Sequence, residues 1–308
     1  MWSEWKTCLS KSNDVTNALI RTPSGLSNQH VFLGVDFVVY VEGGGAFGNA
    51  AEAAGSGADD THDAEFWRTV LHLVSPEKTF HVKSVGCRSV AEEIALSIAK
   101  GSARGTFVCT DSDIGCLLPE LGPLIPTLRS WGYSWENDAA CWEVAEKVFT
   151  DLHGGSAKAQ NALEQFQTWY GQHLEEYRPY IAHDTKQIKL GFTAVFDRAS
   201  PVRPFGPTSA TFPRLDTDHL DSRIICDDRL DYINIDPEYI DVLRHIFGKT
   251  LLKAVYHAFL IFGQTVRRTR IDFDSYVSLC ISAIRSTLPM RHQAFTCYAE
   301  GVRCMSAR

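Results

Sequence analysis

The stretch Phe37-Val38-Val39-Tyr40-Val41-Glu42-Gly43 is an apolar run that ends in an acidic residue and a glycine. Its β-branched and aromatic residues favour a buried strand. A second run, Thr106-Phe107-Val108-Cys109-Thr110, ends in the same way, in Asp111-Ser112-Asp113. Helical patterns alternate with such runs, and this alternation predicts an α/β fold with a mainly parallel, doubly wound sheet flanked by helices.

The first half of the chain carries most of the strand patterns. We predict strands at Phe37 to Val41, Phe80 to Val85, Thr106 to Cys109 and Leu124 to Ser130. The helices expected there run from Asp63 to Val74, from Ser89 to Lys100 and from Asp138 to Leu152, with a short one near Val15 to Ile20. The Gly-rich segment from Gly43 to Asp60 predicts a loop or a weak helix.

The pattern changes after His153-Gly154-Gly155, where a mainly helical C-terminal region is expected. The helical patterns there cover Ala159 to Tyr177, Pro237 to Phe262 and Phe273 to Ser286, and Asp197 to Asp236 is predicted to be irregular. The domain organisation is therefore predicted as an N-terminal segment (1–30), an α/β catalytic core (31–152) and a helical region (153–308).

The composition is that of an ordinary globular protein, with 308 residues, 44% hydrophobic and 22% charged, and a formal net charge of −7. The charge is uneven, because Val242 to Arg308 contains ten Lys or Arg and three Asp or Glu, a balance of +7 against −14 for the remainder. A basic part beside an acidic body suits phosphate binding. Ordinary charge scatter on solvated helices is the alternative.

Several classes of protein are disfavoured by what the sequence lacks. The N-terminus has no apolar signal core, and no run approaches the ~18 apolar residues of a membrane span. The nine cysteines contain no CxxC pair, which favours reduced thiols in a cytoplasmic protein over a disulfide framework or a zinc site.

Acidic residues follow the ends of separate predicted strands. Glu42 follows one strand, Asp111 and Asp113 follow another, and Glu136 lies in the turn-like stretch Gly132 to Asn137. Carboxylates crowded at one sheet edge repel one another unless protons or cations intervene, and they are the ligands that Mg²⁺ and Mn²⁺ prefer. The pattern predicts a metal-dependent phosphoryl-transfer site. An Asx-turn or a helix cap is the alternative for Asp111-Ser112-Asp113.

Gly43 to Gly48 also matches GxGxxG directly after a strand, the pattern of a dinucleotide-binding site. The helix that it should open breaks at Gly55-Ser56-Gly57, and the next strand has no acidic residue at its end. The sequence contains no P-loop, so an intrinsic ATPase is not expected.

Together the motifs resemble the Toprim fold, the catalytic domain of topoisomerases, bacterial primases and OLD-type nucleases. The resemblance is greatest to a Toprim-like family of bacterial anti-phage defence proteins that occurs beside ABC-type ATPases. It covers residues 31 to 150 and rests on Val41-Glu42-Gly43, Asp63 with Phe66-Trp67, Gly86-Cys87, Asp111-Ser112-Asp113 and Gly132-Tyr133-Ser134-Trp135-Glu136-Asn137. One departure is that the family's aspartate follows Glu-Gly closely, whereas here about twenty residues lie between Glu42-Gly43 and Asp63. If Asp63 does not return to the sheet edge, Asp59 or Asp60 is the substitute.

The resemblance implies a divalent-metal-dependent endonuclease that uses two Mg²⁺ or Mn²⁺ ions. Glu42 and Asp111 would share the ions, Asp113 and Glu136 would complete the set, and Asp63 would be an outer ligand. Glu42 is also the candidate general base. Lys249, in a loosely matching context, would stabilise charge on the phosphate.

The resemblance also implies partners, namely an RNA (such as tRNA) or DNA substrate, an ABC-type ATPase and a second copy in a homodimer. Arg267, Arg268 and Arg270 are candidates for gripping phosphates. Trp131, Tyr133 and Trp135 are candidates for base stacking, with a packed cluster as the alternative. Two alternatives to the nuclease stay open: a non-catalytic Toprim-shaped regulatory or binding subunit of an ATPase complex, and a small-molecule phosphohydrolase.

Overall fold

A computed structural model describes residues 23–44, 60–101, 105–118, 127–201, 215–267 and 270–307. The predicted helix near Val15 to Ile20, most of the GxGxxG stretch, Asp59 and Arg268 lie outside the described residues. The chain forms two compact units. Unit 1 comprises residues 1–111, 123–130 and 288–308, and unit 2 comprises residues 112–122 and 131–287. The predicted domains came from sequence pattern alone and stay predictions.

Unit 1 contains a four-stranded parallel sheet with the strand order β2-β1-β3-β4. The strands are β1 (Phe37–Val41), β2 (Phe80–Ser84), β3 (Thr106–Thr110) and β4 (Leu128–Arg129), and the helices are α1 (Pro23–Leu33), α2 (His62–Val74), α3 (Arg88–Gly101) and α12 (His292–Ser306). A 3-10 turn, Leu288–Met290, precedes α12.

Helices cover both faces of this sheet, because alternate residues of each strand point to opposite sides. Val38 and Tyr40 of β1 pack with Val108 of β3 and with Ala91 and Ala95 of α3. On the other face, the Phe37 ring contacts the rings of Phe80 and Phe107, and His72 of α2 lies against Phe80. β1 is buried on both sides, as expected for an internal parallel strand.

Unit 2 is helical in its described part. Its helices are α4 (Trp135–Ala139), α5 (Trp142–His153), α6 (Ala157–Glu176), α7 (Arg178–Lys189), α8 (Thr217–Asp221), α9 (Val242–His245), α10 (Gly248–Val266) and α11 (Phe273–Thr287), and its 3-10 turns are Asp113–Cys116, Asp228–Leu230 and Pro237–Tyr239. The α/β fold with a parallel sheet, flanking helices and a helical C-terminal region is confirmed.

Some predicted elements are wrong in their limits. The helix expected from Pro237 to Phe262 is instead a 3-10 turn, the short α9 and the long α10, with extended backbone at Ile246, where ψ is 149°. The helices α1, α7 and α12 were not predicted at all. The eight described cysteines are free thiols.

Candidate functional site at the carboxyl edge of the sheet

The strand order of unit 1 reverses direction between β1 and β3, which makes this a topological switch point of the sheet. The chain passes from β1 to β2 on one side and then crosses to β3 on the other side of β1. Ligands of open parallel sheets bind at such a switch point, beyond the carboxyl ends of the strands. Glu42 directly follows β1 and Asp111 directly follows β3, and the Glu42 N–H donates to the carbonyl of Cys109 at 3.0 Å. The structure therefore places both predicted carboxylates at the ends of adjacent strands.

Asp63 lies at the same edge, although a long insertion separates it from Glu42 in sequence. Thr61 caps α2: its Oγ1 accepts from the Ala64 N–H at 3.2 Å and lies 2.5 Å from Ser84 Oγ, at the end of β2. This cap fixes the first turn of α2, which contains Asp63. One carboxylate oxygen of Asp63 then accepts from the Gly44 N–H at 3.2 Å.

The contact between Asp63 and the Glu42-Gly43 turn requires a glycine at position 43. A Cβ atom at Gly43 would lie 2.1 Å from Asp63 Cγ, and the φ angle of Gly43 is +123°, which disfavours other residues. Gly43 also exchanges two backbone hydrogen bonds with Gly86, of 2.8 and 2.9 Å, which tie this turn to the Gly86-Cys87 turn. The position of Asp63 at a helix N-terminus is itself favourable for a carboxylate, whatever its function.

By contrast, the stretch from Gly132 to Asn137 forms hydrogen bonds to a segment of unit 2 that is more than a hundred residues away in sequence. We call this stretch the clasp. The Asn137 side chain accepts from the Ser134 N–H at 2.9 Å and donates to the carbonyls of Leu243 (2.7 Å) and Ile246 (3.0 Å). Asn137 is fully buried. These bonds end α9 and explain the break before α10, because the amide of Asn137 occupies carbonyls that a continuous helix would use.

A half-buried ion pair, between Arg198 and Asp184, contacts the same stretch through Tyr133. Arg198 donates to both carboxylate oxygens of Asp184, at 2.9 and 2.7 Å, and to the Tyr133 hydroxyl at 3.2 Å. Its guanidinium carbon lies 4.6 Å from the centroid of the Phe247 ring. Burial raises the pKa of Tyr133. Sequence analysis missed Arg198 and Asp184, since neither lies in a recognisable motif.

The other predicted site residues of unit 2 lie around this clasp. Asp113 has a left-handed backbone (φ +47°), and its N–H donates to the Tyr133 carbonyl at 2.7 Å. Glu136 is 5% exposed, and its Cβ lies 3.1 Å from where a Cβ at Gly248 would be. Lys249, which follows Gly248, is exposed in the first turn of α10.

The predicted nucleic-acid contacts differ in their accessibility. Trp131, Tyr133 and Trp135 are all buried, which leaves their rings packed rather than open for stacking on bases. Their burial favours the packing alternative over base stacking. Arg267 and Arg270 are exposed.

The donor chemistry at the edge of unit 1 suits a hard cation, because Glu42, Asp63 and Asp111 offer only carboxylate oxygens. Within the described residues, however, no three or more His, Cys, Asp or Glu side chains form a group that could hold a metal ion. The residue types fit Mg²⁺ or Mn²⁺.

The chain matches no protein-family model and no curated protein. In the part of the chain that the structure describes, no helix has the length and apolar character needed to cross a membrane.

Proposed function

We propose that the protein is a divalent-metal-dependent endonuclease that hydrolyses phosphodiester bonds of RNA, such as tRNA, or of DNA. The observation that carries the proposal is the position of Glu42 and Asp111 at the ends of adjacent strands, at the switch point of the sheet. Asp63 contacts the Glu-Gly turn beside them. The Toprim resemblance gives the same residues a role in phosphoryl transfer.

Each of these residues has a defined part in the proposal. Glu42, Asp63 and Asp111 would hold Mg²⁺ or Mn²⁺, which polarises the phosphate and activates water when bound. Asp113, Glu136 and Lys249 belong to unit 2, and their part in this site stays a prediction, as does that of Arg267, Arg268 and Arg270.

The wider setting follows from the resemblance alone. We propose a cytoplasmic effector of an anti-phage defence system that is held by an ABC-type ATPase and acts as a homodimer. No observation on this chain bears on the ATPase or on the dimer, so both depend on the family likeness.

A second candidate function is a non-catalytic regulatory or binding subunit with the same fold. Two observations favour it: the described residues form no metal-holding group, and Tyr133 and Asn137 of the most specific motif serve the packing of unit 2. A small-molecule phosphohydrolase stays the third alternative.

The test is cleavage of tRNA, single-stranded DNA and duplex DNA by the purified chain with Mg²⁺ or Mn²⁺. Glu42→Gln and Asp111→Asn keep the side-chain size and remove the charge. Each should lower the rate at least about a hundred-fold, the order expected when electrostatic stabilisation of a transition state is lost. Glu93→Gln, which changes an exposed carboxylate on α3, is the matched control and should keep full activity.

The cleavage assay and a calorimetric titration with Mn²⁺ together separate the two candidate functions. In the cleavage assay, activity that is lost with Glu42→Gln and kept with Glu93→Gln supports the nuclease. Cleavage that survives in both Glu42→Gln and Asp111→Asn refutes it. If no substrate is cleaved, Mn²⁺ binding that depends on Glu42 indicates a nuclease that needs its partner, whereas no Mn²⁺ binding favours the non-catalytic subunit.

A further inference from the structure

Two tyrosines of unit 2 project into solvent from one short segment. Tyr232 is 88% exposed and Tyr239 is 80% exposed, more than any other large hydrophobic side chain in the described part of the chain. A tyrosine ring that packs against a partner buries roughly 150–250 Å², so leaving two rings in water forgoes a large apolar contact. We call residues 226–241 the acidic tyrosine segment.

The backbone that carries these tyrosines is held firmly. Three apolar side chains of the segment, Leu230, Ile235 and Ile240, are buried in unit 2. Arg178 on α7 donates to the carbonyl of Pro237 at 3.0 Å and also to that of Ile240. The rings are thus presented by a fixed scaffold, which lowers the entropy lost when a partner binds.

Two aspartates add local turns to this scaffold. Asp227 accepts from the Arg229 N–H and pairs with the Arg229 guanidinium at 2.8 Å. Asp236 accepts from the Glu238 N–H at 2.9 Å and so caps the turn that leads to Tyr239. The two tyrosines are at most about 25 Å apart, given the length of an extended chain. An interface of about 800 Å² per partner, about 30 Å across, can cover both.

The charge around the tyrosines defines the chemistry of the partner. The segment has six acidic residues against one arginine, a formal charge of −5. Three exposed carboxylates, those of Asp228, Asp231 and Glu238, take no part in the turn-forming hydrogen bonds described above. Such a surface repels nucleic-acid phosphates and attracts Lys and Arg side chains. Exposed aromatic residues are the usual anchors of protein interfaces.

We propose that the acidic tyrosine segment is a docking surface for another protein whose contact face carries Lys and Arg around an apolar slot. Tyr232 and Tyr239 would fill the apolar slot, and the surrounding carboxylates would set orientation and speed association. This surface is independent of the carboxylates proposed for catalysis, since it requires none of them.

The test is a selection of displayed random 12-residue peptides on the immobilised full chain, followed by affinity measurement of the recovered peptides. We expect peptides rich in Lys and Arg with apolar residues. The double variant Tyr232→Ala/Tyr239→Ala should weaken their binding at least about ten-fold, which is about 1.4 kcal/mol at 25 °C. Because both side chains are exposed, this variant should fold normally, as checked by circular dichroism.

The charge contribution is tested by Asp228→Asn/Asp231→Asn/Glu238→Gln, which leaves the turn-forming aspartates intact. This triple variant should weaken the same peptides and reduce the dependence of their affinity on salt.

A matched control changes three exposed acidic residues on helices of unit 2, Glu146→Gln/Glu164→Gln/Glu176→Gln. The control should keep wild-type affinity. Loss in both tyrosine and acidic variants, but not in the control, supports the proposal. Equal losses in the control, peptides that are not basic, or no peptide that depends on the tyrosines would overturn it. Self-association that requires the tyrosines would also overturn it, since the occupant would then be a second copy.

Discussion

His245 makes the stability of unit 2 depend on pH. The side chain is 9% exposed, and its Nδ1 accepts a hydrogen bond from the Asp241 N–H at 3.1 Å. Burial, together with the neighbouring positive charge of Arg244, lowers the pKa of His245 from 6.5 to about 4, against the opposing effect of the Asp241 carboxylate. The folded state therefore holds His245 neutral at pH values where the unfolded chain would protonate it.

The sign and size of the effect follow from this difference. The unfolded state binds the proton more readily, so the contribution to stability is fully present above pH 6.5 and is lost as pH falls from about 6.5 to about 4. A shift of this size corresponds to about 3 kcal/mol, at about 1.4 kcal/mol for each pKa unit.

The perturbation is His245→Asn, which keeps an acceptor for the Asp241 N–H but does not titrate. We expect the free energy of unfolding of the wild type to fall by about 3 kcal/mol more than that of the variant between pH 7 and pH 4. Urea unfolding followed by tryptophan fluorescence measures the free energy of unfolding of both proteins at each pH. His292→Asn, at an exposed site in unit 1, is the control and should show the same change of this free energy with pH as the wild type.

A direct measurement decides the cause. The ring protons of His245, followed by NMR in the folded protein, should titrate near pH 4. A midpoint near 6.5, or a His245→Asn variant with the pH dependence of the wild type, would refute the reasoning.

Other consequences of the packing are testable by urea unfolding. Asn137→Ala should lower the free energy of unfolding by about 2–4 kcal/mol, since it strands the carbonyls of Leu243 and Ile246 in the interior; a loss below 1 kcal/mol would contradict the clasp. Asp113→Gly should be at least about 1 kcal/mol more stable than Asp113→Val, because the left-handed backbone (φ +47°) penalises a β-branched residue; equal stabilities would argue against strain there. Gly43→Ala should destabilise by more than about 1 kcal/mol through its clash with Asp63, and a neutral effect would place Asp63 elsewhere.

Sequence pattern alone was enough for β1, β2 and β3 and for the acidic residues that follow β1 and β3, whereas the strand expected from Leu124 to Ser130 is only the two-residue β4 in the described part. The five residues of β1 form a continuous apolar run, and a fully buried parallel strand needs little more than that. The amphipathic spacing of α2 and α3 likewise depends on neighbours within one or two turns, so it is visible locally.

Sequence periodicity fails as a predictor where a contact between distant residues determines the local structure. The apolar periodicity from Pro237 to Phe262 predicts one helix, but Asn137, more than a hundred residues earlier, binds the carbonyls at the break. The same tertiary contact gives the Gly132 to Asn137 stretch a structural role, although its residue types indicated a catalytic one.

The sequence by itself therefore determined the α/β class and the presence of carboxylates after β1 and β3. Only the tertiary structure decided that β1 and β3 are neighbours, that the switch point of the sheet falls between them, and that Asp63 returns to Gly44 across the insertion. The physical reason is that strand order and loop return depend on contacts between residues far apart in the chain. Such contacts leave no periodic signal in either partner, whereas burial of a strand or of a helix face is recorded in the residues themselves.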